Sequence, residues 1–396
     1  MAERKPNRRL LKAAARLAGS RGTPFYLFDP VEARERARDW ARNAMESGGI
    51  EVFYPWKCNR HPALLAILAR EGLGAEVTSP ADLAGALAAG LPGRRIVFQG
   101  PAKDPASLDR ALGAGACLVA DSPEDAEAIL SRGKALGVAP RYLLRLRAAA
   151  CQPEQRGFGM QGRALVAMAR RAARERSPAE GLAFHLGTGL TSPALYRRAI
   201  RQAAGIARQL ERLGMPVATL DVGGGFPAAG EARRDAQGRV RKAPPLSTFL
   251  RTLAAEAAER LPGIQLLAEP GRALASDAFH LVARVVRVRG RRVYVDGSRV
   301  SHALFVPRGK HRFRPVPFRG SRARRSEIAG PLPVSLDVLA KSEAIGEPRE
   351  GDLLVIESVG AYNLIASNAW AGEAGVVELP PPPNDPAQQR RGTGEL

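Results

Sequence analysis

A repeated alternation of short apolar segments with alanine-rich segments limits most strongly the folds open to this 396-residue chain. Each apolar segment has the length of a buried parallel strand, and the segments between them read as helices. The predicted strands lie near residues 50–56, 74–78, 95–98, 117–120, 141–146, 182–186, 217–222 and 265–269. Eight strands separated by helices predict an α/β fold, a parallel (β/α)8 barrel whose active site lies at the carboxyl ends of its strands.

The pattern changes beyond about residue 280, where strands such as 282–288 and 292–296 follow one another without regular helices. We therefore predict a barrel over residues 30–278 and a C-terminal β-rich domain over 279–379. Residues 1–29 carry an amphipathic helix and a short strand, and we expect them to pack with the β domain. Residues 380–396 begin with a run of prolines and are expected to be disordered.

Charge and cysteine content exclude several classes of protein. The net charge of +21 is spread widely and no nucleic-acid-binding motif accompanies it, so nucleic acid is not expected as a partner. The three cysteines show no CxxC spacing, so neither a disulfide framework nor a metal site is indicated. Because no apolar run reaches membrane length and no signal segment opens the chain, we expect a cytoplasmic protein.

Polar residues stand at the predicted strand ends, where a barrel carries its chemistry. They are Lys57, Glu76, Arg145, His185, Asp221 and Glu269. Lys57 follows an apolar strand, and an ammonium is disfavoured beside such low-dielectric surroundings. A neutral amine there can attack a carbonyl to form a Schiff base, whereas the alternative is a lysine whose stem is buried and whose charge reaches water.

Two glycine-containing turns follow the last two barrel strands. They are Gly223, Gly224 and Gly225 after one strand, and Gly271 with Arg272 after the other. Such glycines either permit only a tight turn or aim backbone N–H groups at a phosphate, with Arg272 adding charge-assisted bonds.

A lysine, a phosphate-binding turn and a carboxylate at one barrel mouth fit pyridoxal phosphate (PLP). Lys57 would hold the cofactor as a Schiff base, and Glu269 would accept a hydrogen bond from the pyridine nitrogen. His185 would lie on a face of the ring, or serve as a structural histidine.

These motifs, in this order, make the chain resemble the alanine-racemase-fold (fold type III) PLP-dependent decarboxylases, the group of diaminopimelate, ornithine and arginine decarboxylases. The matching segments are residues 54–59, 74–79, 184–188, 221–227 and 269–272. The resemblance implies a homodimer with active sites at the subunit interface, and cofactor contacts from Glu76 and Arg145. It also implies that Thr188 binds the phosphate and that Tyr362 reaches it from the partner subunit, although Tyr362 as core packing stays open.

The chain departs from the family in one segment. The family has a cysteine followed by an acidic residue that pairs with the far ammonium of the substrate, and this chain has Pro333 and Val334. The departure implies a substrate that is not a simple diamino acid. The basic stretch that begins at Arg308 indicates a carboxylate-rich amino acid, and Ser335 and Asp337 are further candidate substrate contacts.

The missing cysteine also leaves the reaction partly open. With a proline in its place, Cα must be protonated by another group, for which Lys57, His185 and Ser335 are the candidates. We expect PLP-dependent decarboxylation, with a PLP-dependent racemase or other lyase, or a non-catalytic PLP-binding protein, as alternatives.

Overall fold

The structure, a computed structural model, describes residues 7–234, 239–305, 312–320 and 324–380. Within these ranges the chain forms two compact units. The barrel unit is Glu35–Leu274, and the sheet unit combines the described residues before it with those after it. The predicted domain boundaries at residues 30 and 279 stay a prediction, and the tail expected to be disordered lies, from residue 381 on, outside the described residues.

The chain begins with an amphipathic helix, a short strand and a long charged helix. These are α1 (Arg8–Arg21), β1 (Phe25–Phe28) and α2 (Pro30–Glu46). Asn7 caps α1 by accepting the N–H of Leu10 at 3.2 Å, which satisfies one of the donors that a helix start leaves open.

Eight strands of the barrel unit pair in parallel and close into a barrel, which confirms the predicted fold. In chain order the strands of this unit are β2 (Glu51–Pro55), β3 (Gly74–Val77), β4 (Ile96–Phe98), β5 (Cys117–Ala120), β6 (Arg141–Arg145), β7 (Gly181–Ala183), β8 (Thr219–Asp221), the hairpin β9 (Ala232–Arg234) and β10 (Val240–Lys242), and β11 (Gln265–Ala268). The hairpin stands apart, and β11 closes the barrel by pairing with both β8 and β2. Buried side chains such as Phe53, Leu143 and Leu267 fill the interior, so the barrel is a packed core rather than a pore.

Helices alternate with these strands as the sequence predicts. They are α3 (Pro62–Arg70), α4 (Pro80–Ala88), α5 (Pro105–Ala114), α6 (Pro123–Leu136), α7 (Gly162–Arg174), α8 (Pro193–Glu211), α9 (Leu246–Arg260) and α10 (Arg272–Ala275). Several begin at a proline after a capping side chain: Ser79, Asp104 and Ser122 each accept an N–H three residues on. Proline suits this position because its missing N–H would have no partner in the first helical turn.

The sheet unit is built on one mixed β-sheet. Its later elements are β12 (Phe279–Arg289), β13 (Arg292–Val295), α11 (Arg299–His302), β14 (Phe313–Val316), β15 (Ser326–Ala329), β16 (Val338–Glu343), β17 (Leu353–Ile356), α12 (Asn363–Ala366) and β18 (Val376–Glu378). The order β14-β17-β12-β13-β15-β16 is extended by β1, which pairs antiparallel with β12 and parallel with β18. The expectation of no regular helices was wrong, because α11 and α12 each form one turn.

The first helix packs on this sheet. Leu10, Ala14 and Ala18 of α1 share a buried cluster with Val282 and Val355 of β12 and β17. The apolar stripe of α1 thus finds its cover in strands that come more than 250 residues later.

Candidate active site

Lys57 lies in a single 3₁₀ turn, Trp56–Cys58, directly after β2. Its Nζ donates a hydrogen bond to Oε2 of Glu76, which belongs to the neighbouring strand β3 and is fully buried. The other oxygen of Glu76 accepts no hydrogen bond from any residue that the structure describes. Lys57 is therefore directed at a buried carboxylate, while its own side chain is 38% exposed.

Two more carboxylates lie at this barrel mouth. Asp221 ends β8 and Glu269 follows β11, and both are buried. Burial raises the pKa of Asp221 to about 6. Burial, followed by the charges of Asp221 and Glu76, raises the pKa of Glu269 well above its ordinary value. Three buried carboxylates thus interact with one another at this mouth, where Lys57 also lies, and the cluster favours a further ligand that brings a positive N–H.

Gln99 was not predicted as a site residue. It follows β4, and its Nε2 donates to Oε1 of Glu269. Its own N–H donates to the carbonyl of Val77 at 2.9 Å, which fixes the backbone from which this side chain extends. Gln99 stands at a strand end like the predicted residues, so the same rule applied to β4 would have found it.

His185 follows β7 and contacts the glycine turn. Its Nδ1 accepts the N–H of Gly224 at 3.1 Å, which places the proton of a neutral imidazole on Nε2. Removal from water, followed by the charges of Lys57 and Arg145, lowers the pKa of His185 to about 3. The ring is therefore neutral near neutral pH.

The turn at Gly223, Gly224 and Gly225 requires glycine. Gly223 and Gly225 have φ values of +67° and +99°, in the left-handed region that other residues rarely adopt. A Cβ on Gly224 would lie 2.6 Å from the carbonyl oxygen of Glu269. The first two N–H groups are used, since Gly223 donates to Asp221 at 2.8 Å and Gly224 to His185.

Two N–H groups at these turns are left for a ligand. Those of Gly225 and Gly271 donate to no acceptor in the described part of the chain. A Cβ on Gly271 would come within 2.8 Å of Pro55, so this turn packs closely against the end of β2. The neighbouring Arg272 is buried at the start of α10. Open N–H groups beside an arginine fit a phosphate.

Arg145 at the end of β6 is held by Asp121, which follows β5. Its Nη1 donates to Asp121 at 2.7 Å, and its guanidinium lies 5.1 Å from the ring centre of Phe158. Asp121 in turn donates its N–H to Asp125 at 3.0 Å. Asp125 also accepts from the fully buried Lys103 at 2.6 Å. Sequence reasoning missed Asp121 and Lys103, although Asp121 too stands at a strand end.

The remaining predicted residues lie elsewhere. Thr188 is exposed, and its N–H and carbonyl bond the side chain of Gln152 at 2.8 and 3.2 Å. Tyr362, Ser335 and Asp337 belong to the sheet unit, and Arg308 lies outside the described residues. The barrel unit thus brings together Lys57, Glu76, Arg145, His185, the glycine turn, Glu269, Gly271 and Arg272.

Pyridoxal phosphate fits the donor set at this mouth. Lys57 can bond to the aldehyde of the cofactor, and a buried carboxylate can accept a hydrogen bond from its pyridine nitrogen. The open N–H groups and Arg272 can bind its phosphate. Among the described residues no group of His, Cys, Asp and Glu side chains could hold a metal ion, and no described helix is long and apolar enough to cross a membrane. Fold and site together define a barrel enzyme that uses pyridoxal phosphate.

Comparison with known proteins gives the family. Residues 31–276 match the family described as "Pyridoxal-dependent decarboxylase, pyridoxal binding domain". The chain is 32% identical over 380 residues to a diaminopimelate decarboxylase of Actinosynnema pretiosum, covering 90% of this chain and 83% of the relative. It is 27% identical over 387 residues to that of Zymomonas mobilis, covering 92% and 88%. The chain belongs to the pyridoxal-dependent decarboxylase family.

A solved structure shows the same fold. The lysine/ornithine decarboxylase of Vibrio vulnificus, complexed with cadaverine, superposes with a TM-score of 0.81 at 21% identity, covering 96% of this chain and 98% of that one. The expected fold type, cofactor and enzyme class are thereby confirmed: the chain is a PLP-dependent amino-acid decarboxylase.

Proposed function

We propose that this decarboxylase acts on a carboxylate-rich amino acid and not on a diamino acid. The observation that supports this most directly is the state of Asp337. Pro333 and Val334 bring no charge to their segment, so Asp337 is its one carboxylate. Recognition of a far ammonium from this segment would have to use Asp337.

Asp337 is already engaged by the protein. Its Oδ1 accepts the hydroxyl of Ser298 at 2.8 Å and the N–H of Arg299 at 2.6 Å. Its Oδ2 accepts the N–H of Leu332 at 3.0 Å, and the residue is 1% exposed. A substrate ammonium would have to displace these bonds, so this geometry does not support the predicted substrate contact of Asp337. Ser335 is exposed and remains a candidate.

The carboxylate preference itself rests on the basic stretch. Arg308 lies outside the described residues, so its contact with substrate stays a prediction. Arg314, at the other end of the stretch, lies 3.4 Å from Glu357 in the described part and is buried. Arg308 is thus the better candidate of the two for binding a far carboxylate.

We assign the site residues as follows. Lys57 holds the cofactor covalently, Glu269 accepts the ring N–H, His185 supports a ring face, and the glycine turn with Arg272 binds phosphate. The bound cofactor withdraws electrons from the substrate Cα. Asp121 positions Arg145 by accepting its hydrogen bond, and Glu76 does the same for Lys57.

Lys57 is our candidate for returning the proton to Cα. His185 is disfavoured because its lowered pKa leaves the ring neutral, with its Nδ1 already accepting from Gly224. Ser335 carries a hydroxyl, which is a much weaker acid than an ammonium. Lys57 Nζ, once released from the cofactor, can carry this proton beside Glu76.

We also propose a homodimer, which the sheet unit supports through an exposed apolar patch. The patch consists of Leu304, Phe305, Leu336, Ile365 and Trp370, each between 38% and 68% exposed. Hydrogen bonds join the three segments that carry it, from Arg299 to Asp337, from Phe305 to Asn363 and from Ala371 to Ser301. Connected patches of this kind mark protein interfaces.

Backbone strain beside this patch supports a functional role of Tyr362. Tyr362 has a φ of +67°, which is costly for a residue with a side chain. Its ring centre lies 6.2 Å from that of Phe305. Gly360 packs so closely that a Cβ would lie 1.9 Å from the carbonyl oxygen of Ala275. We propose that this strain presents Tyr362 to the cofactor phosphate of the partner subunit.

All three cysteines are free thiols, two of them buried. Free thiols are typical of reducing compartments, so we propose the cytoplasm as the site of action.

The substrate proposal is tested by supplying the PLP-loaded enzyme with a panel of amino acids and measuring CO2 and amine. Substrates with a far carboxylate are expected to release both, while ornithine and diaminopimelate are not. Val334→Asp restores the family's acidic residue and is expected to gain activity on diamino acids, with Val286→Asp, an exposed valine of β12, as the control. Turnover of ornithine or diaminopimelate by the unaltered enzyme would refute the proposal, and racemisation without CO2 would refute decarboxylation.

A further inference from the structure

The hydrogen bond from Gln99 to Glu269 crosses the barrel mouth. Gln99 follows β4 and Glu269 follows β11, and two strands, β2 and β3, separate these in the barrel. Gln99 is 7% exposed and Glu269 is 3% exposed, so water does not compete strongly for this bond. Gln99 is neutral, so it donates without adding charge to the cluster.

The surroundings of Glu269 work against its ionised form. Asp221 and Glu76 place negative charge beside it, and burial removes the solvent that would stabilise a third anion. A hydrogen bond to the ionised carboxylate opposes this effect. The charge of Lys57 favours the ionised form of Glu269, but Lys57 donates its hydrogen bond to Glu76.

We propose that Gln99 is a positioning residue that orients the Glu269 carboxylate and favours its ionised form, which would accept the N–H of the cofactor ring. The inference rests on the role proposed above for Glu269. A cationic side chain at residue 99 would satisfy the carboxylate and compete with the cofactor ring. An apolar one would leave the carboxylate without this donor, and Glu269 would then retain a proton that the ring nitrogen should carry.

Gln99→Leu removes the donor and keeps an uncharged side chain of similar size. The cofactor-free variant is titrated with PLP, and PLP labelled with ¹⁵N in its ring reports by its chemical shift whether the ring nitrogen is protonated. We expect about tenfold weaker binding, as for the loss of a buried hydrogen bond to a charged group, and a shift towards the unprotonated ring. Unchanged affinity and an unchanged ¹⁵N shift in Gln99→Leu would overturn the inference.

Gln99→Glu provides a second, independent test if Gln99→Leu does not fold. The introduced carboxyl group can still donate to Glu269 while it is protonated, whereas its ionised form repels Glu269. PLP affinity of this variant is therefore expected to fall more steeply with rising pH than that of the unaltered protein. A parallel pH dependence of the two proteins would also overturn the inference.

Two controls distinguish an error in the role of Gln99 from an error in the proposed role of Glu269. Gln265→Leu removes a glutamine amide at the opposite end of β11, where it donates to Gly49 at 3.0 Å, and should leave the ¹⁵N shift unchanged. Glu269→Gln should move that shift if Glu269 accepts the ring N–H. A shift that moves in Glu269→Gln but not in Gln99→Leu refutes only the role of Gln99, and no movement in Glu269→Gln refutes the proposed role of Glu269 itself.

Discussion

Lys103→Met tests whether the buried lysine in the loop after β4 stabilises the barrel. Lys103 has a fully buried side chain, and its Nζ donates to the carbonyls of Gly100 and Val119 at 2.6 and 2.9 Å and to Asp125 at 2.6 Å. Methionine fills similar space, but among the residues that the structure describes it leaves the buried Asp125 carboxylate with only the N–H of Asp121 as a donor. Removing one partner of a buried ion pair costs about 3–5 kcal/mol, and we expect a loss of that size in the free energy of unfolding.

Urea unfolding of the cofactor-free protein, followed by circular dichroism, measures this loss. Lys134→Met alters an exposed lysine of α6 and is the matched control, with an expected change below about 0.5 kcal/mol. In the double variant with Asp125→Leu most of the stability should return, since no buried charge then lacks a partner. Equal urea midpoints for Lys103→Met and Lys134→Met would refute the reasoning. So would a double variant whose loss of unfolding free energy equals the sum of the losses of Lys103→Met and Asp125→Leu alone.

Three further predictions concern the site itself. Lys57→Ala should fold but lose the absorption at about 420 nm that PLP gives when bound to a lysine, and a variant that keeps this band would exclude Lys57 as the attachment point. The pKa of Asp221 rises from 3.8 in the unfolded chain to about 6 in the folded one, so between these two pH values the folded chain binds more protons. The cofactor-free protein should therefore lose stability as the pH rises through this range. Asp221→Asn should remove this part of the pH dependence, as thermal melts on both sides of the window will show; an unchanged slope would contradict the assigned burial. Gly224→Ala should abolish PLP binding in an absorbance titration, because its Cβ would lie 2.6 Å from the carbonyl oxygen of Glu269 and 3.3 Å from His185, and normal binding would contradict the tight turn.

The barrel was predictable because each of its strands is a continuous apolar segment followed by a helix signal. Helix α11 was not, because four residues do not establish a helical period. The hairpin of β9 and β10 was missed for a similar reason: its strands have three residues each and carry arginine and lysine rather than an apolar face.

The site was predictable where chemistry follows a strand directly in the chain. Lys57, His185 and Glu269 are of this kind. Lys103 is not, because it stands in a polar loop after β4 and its burial depends on Asp125, which comes 22 residues later. Asp337 shows the opposite limit: its place in a family segment indicated a substrate contact, and only the structure shows that both of its oxygens are used by the protein.

The sheet unit contains residues from both ends of the chain, so it cannot be completed on the ribosome until synthesis is nearly finished. The barrel unit, Glu35–Leu274, is continuous and can fold as soon as it has emerged. Strand β1 has to wait, because its partners β12 and β18 begin at Phe279 and Val376. During that interval α1 and β1 expose an apolar face and an open strand edge, which are the features that chaperones bind and that aggregation uses. The nascent chain should therefore be most vulnerable after its catalytic barrel is complete and before its last strand is made.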